Sequence, residues 1–160
     1  MARELKLEST AFQNSGWIPD CYSGYSEDKS PELIIDGISE RAVSMVLTLD
    51  DMGHPIFPNY NHWVAWNLEP MSTIPEALPK GRIVEQPIHL EQGIAYGKHR
   101  YRGPKPPFNW KHEYLFTVYI LDTKLTVSPN SRKKDVMAAM EGHVLQKAVL
   151  TGKYQKKHGK

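Results

Sequence analysis

Two histidines, one tyrosine and one aspartate have the types and the spacing to build a small ligand site. His112 and Tyr114 are two residues apart, which places both side chains on one face of a strand. Asp51 and His62 lie at the two ends of a loop between two apolar segments. Protonated histidine and tyrosine donate hydrogen bonds, and a carboxylate can hold an imidazole in one tautomer. The four side chains therefore suit an anion about the size of phosphate.

The residues alone leave other interpretations of this group open. An unpaired polar side chain on an apolar face costs about 1 to 3 kcal/mol, so the four could simply satisfy one another as a structural network. That is the simpler interpretation at this stage. A metal-assisted hydrolase using His62, His112 and Asp51 is a further alternative, but close-spaced metal-ligand pairs and nucleophile motifs are missing from the sequence. We therefore expect no metal, no cofactor and no catalysis.

The elements that must position these side chains begin with the stretch Arg100–Asp122. A rigid Gly/Pro loop at residues 103–107 leads past Phe108 and Trp110 into a strongly apolar strand. Both faces of that strand carry apolar side chains, which predicts a central strand. One face is predicted to hold His112, Tyr114, Phe116, Val118 and Ile120, and the other Leu115, Thr117, Tyr119 and Leu121.

Two earlier strands are predicted to supply the other half of the site. Residues 43–49 alternate as a strand whose face continues to Asp51. Residues 62–68 form the next strand, in which His62, Val64, Trp66 and Leu68 are predicted to share one face. If the two strands pair antiparallel, Asp51 and His62 lie at the same sheet edge.

The remaining segments predict a mainly β chain with one short helix. Residues 3–12 suit an edge strand, and residues 70–98, rich in proline and glycine, suit loops with minor strands. A helix is predicted over Arg132–Glu141, with Asn130 or Ser131 as its N-cap and Gly142 as its stop. The final prediction is a strand over residues 144–154.

Composition limits the classes of function. The 160 residues fit a single domain, residues 1–160, and the net charge of +2 is too small to indicate nucleic-acid binding, although lysines including Lys157 and Lys160 gather at the C-terminus. The apolar runs are too short for membrane insertion, and residues 1–6 do not start a signal peptide. The lone Cys21 cannot form an internal disulfide. We therefore expect a cytoplasmic protein.

Short segments in consistent order between Leu5 and Tyr154 match the signatures of a known family. They are Gly103-Pro104-x-Pro106-Pro107, His112-x-Tyr114, Asp51 ahead of Pro55, His62-Trp63-Val64-x-x-Asn67-Leu68, and Ala139-Met140-Glu141-Gly142-His143-Val144-Leu145. Together they resemble the phosphatidylethanolamine-binding proteins, the group that includes the Raf kinase inhibitor protein. The last segment resembles the bacterial and archaeal branch.

The resemblance implies an antiparallel β-sandwich-like fold, in which a large sheet packs on a smaller one, with a short helix near the C-terminus. It also implies a non-catalytic binding or regulatory protein with a pocket at one sheet edge for phosphate or a phospholipid head group. Some branches inhibit kinases or proteases, so an inhibitor acting through the loop Gly103–Trp110 is an alternative. Prokaryotic members are often dimeric, which makes a homodimer an open expectation. The ligand-binding residues carried over are Asp51, His62, Gly103, Pro107, His112 and Tyr114.

The sequence also departs from the family pattern around the implied pocket. Gly53 stands where the family usually has a second aspartate, so one negative charge is lost from the rim. Phe108 and Trp110 stand where small residues are common. We therefore expect a reshaped pocket that aromatic side chains partly cover.

Overall fold

The structure is a computed structural model that describes residues 4–54 and 59–156, and its strands form two sheets with one helix in that part of the chain. The predicted mainly β fold is confirmed. Pro55 of the first family motif and the terminal Lys157 and Lys160 lie outside the described residues. The elements are β1 Lys6–Glu8, β2 Gly16–Trp17, β3 Leu33–Asp36, β4 Ser44–Asp51, β5 Tyr60–Leu68, β6 Thr73–Ile74, β7 Ile83–Val84, β8 Leu90–Gln92, β9 Lys111–Leu121, α1 Lys133–Met140 and β10 Val144–Gln155.

Strand β9 lies at the centre of the larger sheet, as its apolar pattern predicts. The seven strands run in the order β2-β10-β9-β4-β5-β8-β7, and β9 pairs antiparallel with both β10 and β4. Its side chains Tyr114, Phe116, Val118 and Ile120 are buried in the main core. The predictions of a central strand and of its buried face are confirmed.

Two hydrophobic cores flank the larger sheet. The main core contains Leu33 and Ile35 of the three-stranded sheet β1-β3-β6 together with Leu47 and Leu49 of β4, so it fills the space between the sheets. The second core joins β4 and β5 to the buried side of helix α1. Its buried members are Val46, Val64, Trp66, Leu121, Leu125, Val136 and Met140. The sandwich therefore supports the sheet edge at which β4 ends and β5 and β9 begin.

Strand β5 contains two irregularities that correct the predicted faces. Leu49 pairs with Trp63 and Asp50 with Asn61, so His62 is an extra residue in β5 at this point. A second shift between the pairs of Met45 and Leu47 moves Leu68 to the main core, whereas Val64 and Trp66 face the second core. The prediction that His62, Val64, Trp66 and Leu68 share one face is therefore wrong, because each bulge reverses the side-chain alternation.

Helix α1 follows the prediction at its end but not at its start. Its backbone begins at Lys133, with Arg132 at the N-cap position, rather than after Asn130 or Ser131. The Asp135 carboxylate accepts a hydrogen bond from the backbone N–H of Arg132. A side chain of the helix itself therefore satisfies this donor at the helix N-terminus. Gly142 has a φ of 83° just past the helix end, as expected for a stop signal. Within the described residues, no helix is long and apolar enough to cross a membrane.

Candidate functional site

One half of the candidate site is a buried pair of side chains on neighbouring strands. Asp51 ends β4 opposite Tyr114 of β9, which brings it beside His112. The His112 Nδ1 lies 2.9 Å from the Asp51 Oδ2, and the Gly53 N–H donates to the Asp51 Oδ1 over 2.8 Å. Asp51 and His112 are both buried. The carboxylate therefore has a partner at each oxygen and holds the His112 ring with Nδ1 protonated.

Gly53 leaves room for this pair. A Cβ atom at position 53 would lie 3.1 Å from the Cγ of His112 and 3.2 Å from its Cβ and Cδ2. Any side chain at this position would therefore press on the His112 ring. Gly53 therefore leaves the His112 ring without a side chain pressing on it from this position.

The other half of the site is His62, which the bulge in β5 turns toward β4 and β9. Its Nδ1 lies 2.9 Å from the carbonyl oxygen of Arg102, so Nδ1 carries a proton and donates. Its Nε2 is buried and has no hydrogen-bond partner among the described residues. The nearest charge is the Asp51 Oδ2, 3.9 Å from Nε2. Asp51 therefore lies between the two histidines and bonds to only one of them.

Tyr114 completes the group with a second unpaired polar atom. Its ring meets the His62 ring edge to face, with the ring centres 5.5 Å apart. Its hydroxyl is buried and makes no hydrogen bond of normal geometry in the described part of the chain, although the backbone of Lys105 lies near enough to act against the rise in the pKa of the phenol. The structure thus brings together four predicted residues from three adjacent strands: Asp51, His62, His112 and Tyr114.

Burial sets the protonation of the two unpaired groups. Burial lowers the pKa of His62, while its bond to the Arg102 carbonyl and the charge of Asp51 act in the opposite direction. Burial also raises the pKa of the Tyr114 phenol far above its usual range, and the charge of Asp51 adds to the effect. At neutral pH the site therefore presents a neutral imidazole, which accepts at Nε2, beside a phenol that donates.

The Gly/Pro loop reaches the site through an anchor that the sequence analysis missed. Asp28 accepts the Gly103 N–H at 2.7 Å and the Arg100 guanidinium at 2.9 Å. Because the Gly103 N–H is already bound, it is not a free donor for a ligand. A Cβ atom at Gly103 would lie 2.0 Å from the carbonyl oxygen of Tyr22, so only glycine lets the loop pass here.

The rest of the loop is divided between buried and exposed residues. Pro104 and Pro106 are buried, whereas Pro107 is exposed. Phe108 and Trp110 contact each other and are both exposed. The loop therefore combines a buried base with an exposed aromatic tip.

Aromatic residues near the site come instead from positions that the sequence analysis did not select. The rings of Tyr60 and Tyr96 lie 5.0 Å apart, and Tyr96 lies 4.8 Å from the His62 ring. The Arg102 guanidinium lies 5.2 Å from the Tyr96 ring centre. Tyr60 could have been found from its place two residues before His62, but Tyr96 lies in an irregular segment whose position depends on the tertiary fold.

No group of three or more His, Cys, Asp or Glu residues in the described ranges is arranged to hold a metal ion.

Comparison with known proteins matches almost the whole chain to one family model. The model described as "Phosphatidylethanolamine-binding protein" matches residues 8–155. A UPF0098 protein of Pyrococcus abyssi is 42% identical over 156 residues, which cover 96% of this chain and 87% of that protein. A UPF0098 protein of Methanothermobacter thermautotrophicus is 40% identical over 155 residues, covering 95% of this chain and 99% of that protein. These matches agree with the predicted prokaryotic branch.

Solved structures show the same architecture. A phosphatidylethanolamine-binding protein homolog from Chlamydia trachomatis has 31% identity and a TM-score of 0.86, with 97% of this chain and 99% of that chain covered. The structure of YbcL from E. coli has a TM-score of 0.85 at 24% identity, with 96% and 99% covered, and supports the fold alone. The arrangement of the two sheets is therefore shared with solved structures of this kind.

Proposed function

Because this chain belongs to the phosphatidylethanolamine-binding protein family, we propose that it is a non-catalytic binding protein whose site takes a small phosphate-like anion. The site consists of Asp51, His62, His112 and Tyr114, with the loop at Gly103 forming the adjoining wall. The anion is either free or part of a phospholipid head group, since both present the same phosphoryl oxygens. Family membership supports binding as the general function, and the choice of ligand is our proposal.

One observation carries the proposal: two buried polar atoms at the site have no hydrogen-bond partner among residues 4–54 and 59–156. Among the described residues, five buried side-chain atoms lack a hydrogen bond, and the His62 Nε2 and the Tyr114 hydroxyl are two of them. The other three belong to Thr48, Asn61 and Trp66. Leaving such atoms unpaired costs about 1 to 3 kcal/mol each, and a bound ligand that pairs both would recover that cost.

The chemistry of the two atoms favours an anion that also carries a proton. The Tyr114 hydroxyl can donate to a phosphoryl oxygen, whereas the neutral His62 Nε2 needs a donor. Hydrogen phosphate supplies that donor as its P–OH group. Alternatively the anion draws a proton onto Nε2, where Asp51 at 3.9 Å helps to stabilise the imidazolium. In both cases His62 of β5 and Tyr114 of β9 hold the ligand from either side of β4.

The test is a titration with inorganic phosphate, followed through the histidine resonances by NMR. We expect the His62 and His112 signals to shift and to saturate at millimolar phosphate, as suits a small anion with few contacts. The His143 signal is the internal control, because its Nδ1 pairs with Asp122 on the exposed surface, 2.8 Å away. Phosphoethanolamine and sulfate in parallel titrations separate a head-group preference from a need for the P–OH donor.

The proposal fails if the His62 and His112 signals stay unchanged at millimolar phosphate and millimolar phosphoethanolamine. It also fails if the signals move equally in a Tyr114→Phe variant, since that variant lacks the donor that the proposal assigns. A uniform shift that includes His143 would indicate a change of ionic strength rather than a bound ligand.

A further inference from the structure

The exposed tip of the Gly/Pro loop is an aromatic finger, residues 107–110. Phe108 is 70% exposed and Trp110 is 47% exposed, and their rings lie 5.5 Å apart. The backbone N–H of Trp110 donates to the carbonyl oxygen of Pro107 over 3.2 Å, and this hydrogen bond closes a tight turn. The finger therefore presents two large apolar rings to the outside in a defined shape.

Three lysines surround the base of the finger. Lys111 directly follows the finger and is exposed. It pairs with Gln155 of β10, and the Gln155 side chain donates to the Asn109 carbonyl oxygen over 2.7 Å. Lys105 and Lys156 are exposed as well, and their Nζ atoms lie 5.6 Å and 4.6 Å from the ring centre of Tyr25.

Tyr25 ties two of these lysines to the loop. Its hydroxyl donates to the carbonyl oxygen of Pro106, just before the finger. The nearest acidic side chain along the chain is Glu113, whose register partner is Lys153. Three exposed lysines therefore lie near the base of the finger, and Glu113 is exposed on the same strand as Lys111.

The finger does not stabilise the fold in any way that explains its residues. Phe108 has a φ of 56°, a conformation that strains a bulky side chain and that glycine would adopt freely. Its ring remains mostly in water instead of entering either hydrophobic core. A strained and exposed aromatic residue of this kind points to a contact outside the protein.

We propose that the aromatic finger docks on the surface of a lipid bilayer that contains anionic lipids. Tryptophan and phenylalanine enter the interfacial zone of a bilayer favourably, and lysines beside them are attracted to anionic head groups. The three lysines provide that charge complementarity, and the two rings provide the apolar contact. His112 lies two residues beyond Trp110, so docking would bring this side of the candidate site toward the head-group layer. The docking itself does not require that site to bind phosphate, so the two proposals can fail separately.

The test is co-sedimentation of the full chain with vesicles of phosphatidylcholine alone and of phosphatidylcholine with about 30% phosphatidylglycerol. We expect the protein to sediment with the anionic vesicles and much less with the neutral ones. The double variant Phe108→Ser/Trp110→Ser should lower the partition coefficient at least about tenfold. The triple variant Lys105→Gln/Lys111→Gln/Lys156→Gln should remove the preference for anionic vesicles.

Matched controls separate docking from other effects. Ile83→Ser removes a side chain that is 60% exposed on the edge strand β7, away from the finger, and should leave sedimentation unchanged. Val149→Ser removes a side chain that is 48% exposed on β10, opposite Thr117 and away from the finger, and should also leave sedimentation unchanged.

Two results would overturn the inference. The first is that the wild-type protein does not sediment with vesicles of either composition. The finger would then be assigned to binding in a groove of a partner protein, such as a kinase or protease. The second is a double finger variant that sediments as well as the wild-type protein.

Discussion

The two halves of the candidate site use similar side chains but differ in how far the protein satisfies them. In the first half, Asp51 accepts hydrogen bonds from His112 and from Gly53, so its oxygens are paired within the chain. In the second half, His62 and Tyr114 pack ring against ring, and each keeps one buried polar atom without a partner in the described residues. The first half is satisfied within the chain, and the second keeps two polar atoms that a ligand could pair.

This difference shows how a structural network and a ligand site can share one group of residues. The sequence offered them as alternatives; the structure contains the paired network of Asp51 and His112, and the ligand site at His62 and Tyr114 is our proposal. The carboxylate bonds to His112 and lies 3.9 Å from the His62 Nε2, within range to stabilise a positive charge there. Variants that break one half should therefore lose stability, and variants that break the other should lose binding.

The largest expected effect comes from breaking the paired half with Asp51→Ala. The change leaves the buried His112 Nδ1–H and the Gly53 N–H without their acceptor, so we expect the free energy of unfolding to fall by about 2 to 4 kcal/mol. Asp122→Ala is the matched control, because Asp122 also accepts from a histidine, His143, but on the exposed surface. It should cost less than about 1 kcal/mol. Urea unfolding measures both, and equal losses would contradict the distinction between the two pairs.

A smaller effect, and one of different kind, is expected from Tyr114→Phe in the unpaired half. Removing a buried hydroxyl that has no partner should leave stability unchanged or raise it by up to about 1 kcal/mol, while phosphate affinity falls about tenfold. Tyr101→Phe is the control, since the Tyr101 hydroxyl is buried and donates to the Tyr22 carbonyl oxygen over 2.6 Å. That variant should lose about 1 to 2 kcal/mol and keep its phosphate affinity. A Tyr114→Phe variant that is destabilised like Tyr101→Phe would show that the Tyr114 hydroxyl has a partner.

The smallest expected effect is a pH dependence that arises from His62. Burial holds the pKa of His62 below its unfolded value of about 6.5, so the unfolded chain binds more protons between the two values. Stability should therefore fall as the pH is lowered through about 6.5, and should level off below the folded pKa. Urea unfolding at several pH values should show a shallower decline for His62→Gln than for the wild-type protein.

Phosphate should reverse this trend at His62. In the mode in which the anion draws a proton onto Nε2, the bound anion raises the pKa of His62. Phosphate then binds more tightly as the pH falls, and the complex takes up a proton on binding. Calorimetry in buffers of different ionisation enthalpy measures that proton uptake. Release of a proton on binding would contradict the assigned role of His62.

The aromatic finger shows which parts of the loop could be read from the residues. The Gly/Pro motif located the loop next to His112, and the aromatic residues in it were noticeable because small residues are usual there. The expectation that Phe108 and Trp110 would partly cover the pocket stays a prediction, since the structure shows the two rings exposed and in contact with each other. Whether a loop residue faces a pocket or the solvent depends on how the loop is anchored, here by Asp28.

The sequence by itself determined the central strand, its buried face, the antiparallel neighbours and the closeness of Asp51 to His62. These features follow from alternation and from the pairing of consecutive strands, which are local rules. Only the tertiary structure decided the bulge that turns His62 away from Val64 and Trp66, the anchor that Asp28 provides for Gly103, and the approach of Tyr96 to His62. Each of these depends on contacts between residues that are distant in sequence or on one extra residue in a strand, and no local pattern records either.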